Sequence, residues 1–278
     1  MLELLSSGIH TTLQDAGRFG YRNFGIPLCG FMDQHSAKVA NSLVGNSLNT
    51  VCLEFVHSGP ILKFYSPTYI AICGAQCDLK LNDKIVQQNQ LLQIKANDIL
   101  KIGQVREGNY GYLAIAGGFN STEIMGSSSF YPGITEISRL TKTMRVDYNP
   151  LTKFTPNKQS QLELIRIDQE IKVFEGPEFH QLSDLTKNKI LSQKYAVSSL
   201  SNRMANRLET TKQIKGFEII SGPVQPGTIQ LTPGGDFIVL MRDCQTTGGY
   251  ARILQLSEMS INLLAQKKIN TQFQIKII

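Results

Sequence analysis

From residue 51 to 117 the chain alternates short apolar runs with turn residues. The runs lie at 51–56, 69–75, 91–95, 99–102 and 112–116. Ser58-Gly59-Pro60, Asn82-Asp83, Asn97-Asp98 and Gly108-Asn109 separate them. Regularly spaced short runs of this kind predict strands of a sandwich or closed barrel. Before them, Ala37, Ala40, Leu43 and Val44 recur at helical spacing behind Asp33, a capping residue. That pattern predicts a helix ending at Gly45 or Asn46. Asn41, at the edge of its apolar face, is expected to tie the helix to a neighbouring strand. The segment Ile9–Tyr21 is expected to be a loop, with Gln14, Asp15 and Arg18 set around Gly17 and Gly20.

A polar, irregular stretch runs from about residue 126 to 160, where Asn149-Pro150 and Thr155-Pro156-Asn157 mark a boundary. Residues 162–167 alternate as a strand, and 178–191 look helical. Strand-like runs return at 217–220, 228–231, 237–241, 252–256 and 271–278. Ala40-Asn41-Ser42-Leu43 precedes Ser58-Gly59-Pro60 by 17 positions (58 − 41), and Ala205-Asn206-Arg207-Leu208 precedes Ser221-Gly222-Pro223 by 15 (221 − 206). This ordered match suggests a duplicated β domain. The expected architecture is mainly β with a few short helices, in two domains, 1–160 and 161–278.

The 278 residues are 41% hydrophobic and 18% charged, a globular composition. No apolar run approaches the roughly 20 residues a membrane-spanning helix needs. The N-terminus has an acid, Glu3, where a signal peptide needs bases. Five scattered cysteines, 29, 52, 73, 77 and 244, read as reduced core thiols of a cytoplasmic protein. The closest pair, Cys73 and Cys77, has no second pair at zinc-ligand spacing, so no metal is assigned. The net charge of +6 is spread without a cluster of bases and aromatics, which argues against nucleic acid. Phosphate-loop, dinucleotide and nucleophile-elbow motifs are missing from the sequence, as is a lysine between methionines for biotin attachment. His10, His35, His57 and His180 stand far apart.

Polar residues on expected loops remain: Asp15, Arg18, Asp33, Asn202, Arg203, Gln230 and the octapeptide Asp243-Cys244-Gln245-Thr246-Thr247-Gly248-Gly249-Tyr250. The octapeptide follows the strand-like run Asp236–Arg242. Its two glycines are expected to turn backbone N–H groups toward a ligand in conformations closed to other residues. Such a set suits a small carboxylate or amide, with arginine forks for the carboxylate and N–H donors for a carbonyl oxygen.

At these residues the chain resembles a known family. The resemblance runs through Thr12–Tyr21, Met32-Asp33, Ala40–Asn46, Leu53-Glu54, Gly59-Pro60, Gly74-Ala75, Tyr112–Gly118, Gly176-Pro177-Glu178, Arg203-Met204, Arg207-Leu208, Gly227–Gln230 and Gln245–Tyr250. It is similar to the family of the C component of 5-oxoprolinase, also described as allophanate hydrolase subunit 2, a biotin-dependent carboxyltransferase domain, and an antikinase. The resemblance implies two tandem cyclophilin-like β-barrel domains, and partners that resemble the A and B components of 5-oxoprolinase. It also implies use of ATP in opening 5-oxo-L-proline to L-glutamate, without biotin attached to this chain. The family usually has Ser-Gly-Pro-Met-Asp where this chain has Cys29-Gly30-Phe31-Met32-Asp33, and Ser-Asp-Arg-Met-Gly where it has Ser201-Asn202-Arg203-Met204-Ala205. Residues 126–147 match poorly.

On this reading Asp15, Asp243, Gln245 and Thr246 are the expected catalytic residues. Either acid would orient a proton or water. Gln245 and Thr246 would hold the carbonyl oxygen. Arg18, Met32, Asp33, Arg203, Gln230, Thr247, Gly248, Gly249 and Tyr250 are expected to bind substrate. Two alternatives stand beside it: a biotin-dependent carboxyltransferase acting on urea or a related amide, and a non-catalytic regulator that binds a partner.

Overall fold

The structure, a computed structural model, describes residues 1–154 and 170–278. These fall into two compact units. The first comprises Met1–Arg18 and the chain from Cys29 to 154. The second comprises Phe19–Leu28 and 170–278. The segment Phe19–Leu28 therefore groups with the second unit, although sequence order places it among residues of the first. The expected boundary between 160 and 161 and the expected strand at 162–167 lie outside the described residues.

Both units are mainly β, as expected, with three α-helices among the described residues. Two curled sheets, a half-barrel and a near-barrel, occupy the places of the two tandem cyclophilin-like domains. The first unit contains β1 (Leu2–Ser6), β2 (His10–Gln14), α1 (Gln34–Leu43), β3 (Cys52–Val56), β4 (Ile61–Phe64), β5 (Thr68–Leu81), β6 (Lys84–Ile85), β7 (Leu91–Ile94), β8 (Ile99–Ile115), β9 (Phe119–Asn120) and β10 (Arg145–Tyr148). Its sheet runs β2-β3-β8-β4-β1-β10-β9, and β5 pairs along β8. The long β5–β8 ribbon shifts register three times between Gly74 and Leu79. Each extra residue bends and twists the ribbon, so the sheet curls.

Alternation sorts the side chains. Leu53, Leu113 and Ile72 share one row across β3, β8 and β5 and face one core. Cys52, Cys73, Tyr112 and Ala114 face the other, beneath Ala37, Val39 and Ala40 of α1. Asp33 caps α1 as expected, accepting from Ser36 N–H at 3.1 Å. Asn41 reaches the segment after the helix, donating to the Thr50 carbonyl at 2.6 Å. Part of the expected N-terminal loop is the strand β2: Thr11, Thr12, Leu13 and Gln14 are all buried there, and all five residues of β2 pair with β3.

The second unit contains β11 (Ile171–Glu175), α2 (Asp184–Ser192), β12 (Tyr195–Val197), β13 (Ala205–Thr210), β14 (Glu218–Pro223), β15 (Thr228–Leu231), β16 (Phe237–Leu240), β17 (Thr247–Leu256), α3 (Glu258–Ala265), β18 (Gln272–Phe273) and β19 (Ile275–Ile277). The order is β18-β12-β13-β16-β15-β17-β11-β19, with β14 on β17. The expected helix at 178–191 is a 3-10 turn, Phe179–Gln181, followed by α2, which starts at its cap Ser183. The internal repeat has no structural counterpart: Ala40–Leu43 lies in α1, whereas Ala205–Leu208 lies in β13.

Candidate functional site

In the second unit the period of two along β13, β16 and β15 builds a core face and an open face. Leu208, Phe237, Val239, Ile229 and Leu231 are buried on the core side. Arg207 pairs with Ile238, and Ile238 with Gln230, so these three share a row across the sheet. That row forms part of the lining of a cavity of about 680 Å³. Glu218 and Tyr250, partners across β14 and β17, line it too. Asn202, Met204, Gln245 and the turn Thr232–Asp236 complete the wall.

Gln230 is only 2% exposed, and its Nε2 has no hydrogen-bond partner. A buried amide N–H left unpaired costs about 1–3 kcal/mol. A Cβ at position 248 would lie 2.5 Å from that nitrogen, so Gly248 makes room for the amide. This corrects the expected role of the glycines. Neither Gly248 nor Gly249 has a positive φ; both lie in β17, where Gly248 pairs with Gly222. The octapeptide is thus half turn and half strand. The missing side chain at Gly248 serves space, not backbone conformation.

Arg207 forms an ion pair with Asp236, both about 40% exposed. Asp236 is held by Thr232, whose Oγ1 accepts from its N–H at 3.0 Å. Asn202 Oδ1 accepts from Met204 N–H at 2.8 Å and Ala205 N–H at 3.1 Å. The lining therefore carries one cation, Arg207, against two anions, Glu218 and Asp236.

The expected site residues divide between the units. Of those in the second, Gln230, Gln245 and Tyr250 line the cavity. Arg203 and Asp243 do not; they satisfy each other in a two-pronged pair, Nε to Oδ2 at 2.8 Å and Nη2 to Oδ1 at 2.9 Å. The pair turns both carboxylate oxygens of Asp243 toward Arg203. The Thr246 carbonyl accepts from Val224 N–H at 3.1 Å, and Thr247 is exposed at the start of β17.

In the first unit Asp15 is fully engaged. Its carboxylate accepts from Gly17 N–H at 2.9 Å, Ser127 Oγ at 2.7 Å, Ser128 N–H at 2.6 Å and Ser129 Oγ at 2.6 Å. Arg18 is wholly buried and donates to the carbonyls of Ile124 at 3.0 Å and Ser129 at 2.9 Å. Together they fasten the 124–129 segment to the end of β2. Met32 is buried, with its N–H on Glu54 Oε2 at 2.9 Å. Asp33 caps α1, and its N–H donates to Tyr112 Oη at 2.7 Å. Burial, reinforced by the Glu54 and Asp33 carboxylates, pushes the Tyr112 phenol well above its ordinary range.

Sequence reasoning missed Arg207, Glu218, Thr232 and Asp236. Alternation in 205–208 and 228–232 is the signal for Arg207 and Thr232; no local pattern marks Glu218 or Asp236.

A mainly-β chain with an amide-lined cavity on a curled sheet has counterparts among known proteins. The family model described as "Carboxyltransferase domain, subdomain A and B" matches residues 24–277, and the chain belongs to that family. Among named relatives, it is 35% identical to the C component of 5-oxoprolinase from Escherichia coli K12 over 276 residues, covering 96% of this chain and 87% of the relative. Identity to the same component from Haemophilus influenzae is 28%, covering 100% and 91%. Urea amidolyase of Lachancea kluyveri is 41% identical over 130 residues, which are 46% of this chain and 7% of that one. The solved structure of TTHA0988 superposes with a TM-score of 0.89 at 25% identity, covering 99% of this chain. The chain spans only 55% of that solved chain. The urea amidolyase of K. lactis superposes with a TM-score of 0.86 at 25% identity, covering 100% of this chain and 18% of that one.

Proposed function

We propose that the chain is one component of a cytoplasmic, ATP-dependent 5-oxoprolinase that opens 5-oxo-L-proline to L-glutamate, with partners like the A and B components of that enzyme. The observation that carries this reading is the unpaired Gln230 amide on the wall of the second unit's cavity. A lactam carbonyl is the acceptor this donor lacks. Gln245 and Tyr250 add polar groups to the same wall. The Arg207–Asp236 pair is half-exposed, and such pairs contribute little, about 0–1 kcal/mol. Arg207 can therefore exchange Asp236 for a substrate carboxylate at small cost.

The cavity does not fit ATP. A polyphosphate needs an excess of cations or a cradle of backbone N–H groups, and this lining has one cation against two anions. We therefore assign the nucleotide to a partner protein, and no step in this cavity passes through it. Asp15, Arg18, Met32, Asp33, Arg203 and Asp243 are assigned to shaping their units.

The test is reconstitution with the partner proteins, following glutamate release and ATP hydrolysis. Both should depend on 5-oxoproline, and Gln230→Leu should lower that dependent turnover about a hundredfold. ATP hydrolysis indifferent to 5-oxoproline would remove this substrate. The lining's excess of negative charge favours a second reading, a carboxyltransferase acting on a neutral amide such as urea, which has no carboxylate to place. That reading requires a separate biotinylated carrier and predicts bicarbonate consumption driven by urea.

A further inference from the structure

The second unit has another concave surface, which shares no lining residue with the cavity around Gln230. Two cavities of about 420 and 480 Å³ adjoin at Gln225 and Gln255. Three arginines line this groove: Arg22, Arg242 and Arg252. Their states differ. Arg252 is the most engaged, with each of its three nitrogens donating. Its Nε and Nη2 donate to Glu178 at 2.9 and 2.6 Å, and its Nη1 to the Pro223 carbonyl at 2.9 Å. Arg242 is 2% exposed and spends Nη2 on Glu258 at 2.6 Å and Asn262 at 2.9 Å, while its Nε has no partner.

Arg22 is the least engaged. Its Nη2 donates to the Val224 carbonyl, and its Nη1 has no partner. It also sits beside the Cys244 thiol. Burial pushes that thiol up to about 11, and Arg22 pulls against the shift. Among the described residues no carboxylate lies within ion-pair distance of Arg22, whereas Arg203, Arg207, Arg242 and Arg252 each have one. A half-buried guanidinium without an anion has unspent charge and unspent donors, and the adjoining cavity adds Arg242 with its own buried unpaired N–H. Glu175, on the exposed side of β11, and Glu258, already engaged by Arg242, are the acids that line the groove.

We propose that this groove is a binding site for a small oxyanion, a carboxylate or a phosphate, with Arg22 as its principal contact. The planar fork of arginine presents paired N–H groups that match either anion. The apolar walls, Leu28, Phe174 and Pro226 among them, leave room for a small organic body attached to the anion. The inference does not depend on the lactam reading, because it uses none of that cavity's residues.

Calorimetric titration of the full chain tests it, with phosphate and with acetate, against chloride at equal ionic strength. Saturable binding of at least one oxyanion is expected, weakened at least tenfold in Arg22→Gln and unchanged in Gln230→Leu. Tighter phosphate would identify a phosphorylated ligand, and tighter acetate a carboxylate. Arg22→Lys keeps the charge but loses the fork, and it should fold and bind several-fold more weakly. No oxyanion binding beyond chloride by the wild-type chain, or wild-type affinity in both Arg22 variants, would overturn the proposal.

Discussion

The Asp15 cluster of the first unit and the Gln230 wall of the second are both built from polar residues near glycines, yet their hydrogen bonds are spent differently. Four donors converge on the Asp15 carboxylate, and each comes from its own unit. The Gln230 side chain is more deeply buried than Asp15, yet its amide nitrogen has no partner, and a glycine is placed where a side chain would crowd it. Satisfied buried groups rigidify a fold, while an unsatisfied one marks a place where a ligand can be the missing partner. Polar residues around glycines do not distinguish these cases in sequence; the bonds made by the Asp15 carboxylate and the Gln230 amide do, although the buried Arg18 Nη1 of the first region also lacks a partner.

Breaking the first region should produce the largest stability effect. Asp15→Ala leaves two hydroxyls and two N–H groups without their acceptor and should cost about 3 kcal/mol, read from denaturant midpoints. Activity per folded molecule should stay near wild type. A large loss of specific activity at unchanged stability would instead move Asp15 into the reaction.

The second unit also has a fully spent acid. Arg252, donating to both oxygens of Glu178, holds that carboxyl below the usual carboxylate range, against the opposing push of burial. A folded value below the unfolded one of about 4.3 gives stability that is present above that value. It is lost as pH falls through the depressed one. Glu178→Gln should destabilise the protein by about 2 kcal/mol at neutral pH and flatten this acid limb. A variant whose stability fell with acid as steeply as wild type would show that Glu178 is not responsible.

The smallest effect is expected at Asn202, which stands where the resembling family has an acid. Its role is to accept from Met204 and Ala205 N–H groups, and a carboxylate accepts equally well. Asn202→Asp should shift stability by no more than about 0.5 kcal/mol. Thermal melts of the two proteins should nearly superpose.

Much of this was legible in the sequence. The strand runs at 51–56, 112–116, 228–231 and 237–241 and the capped helix after Asp33 follow from period and capping chemistry, and the structure contains them. The residues of the octapeptide and Gln230 drew attention as polar groups on a β scaffold, and Gln230, Gln245 and Tyr250 do meet in one cavity. What stayed hidden was pairing over long separations. Asp15 binds serines more than 110 positions away, and Arg203 locks Asp243 across 40. Arg22 joins the second unit from a segment that precedes α1. Nothing local signals such contacts, and the matched tetrapeptides are not equivalent elements, because the same pattern folds as helix in one place and strand in the other.

The most direct test is Gln230→Leu, close in shape but without the amide, measured for stability and for turnover in the reconstituted complex. Removing an unpaired buried donor should leave stability unchanged or raise it by about 1 kcal/mol. Losing the donor to a reacting carbonyl should lower turnover about a hundredfold. A variant that is clearly less stable yet turns over at the wild-type rate would contradict the assignment of this cavity.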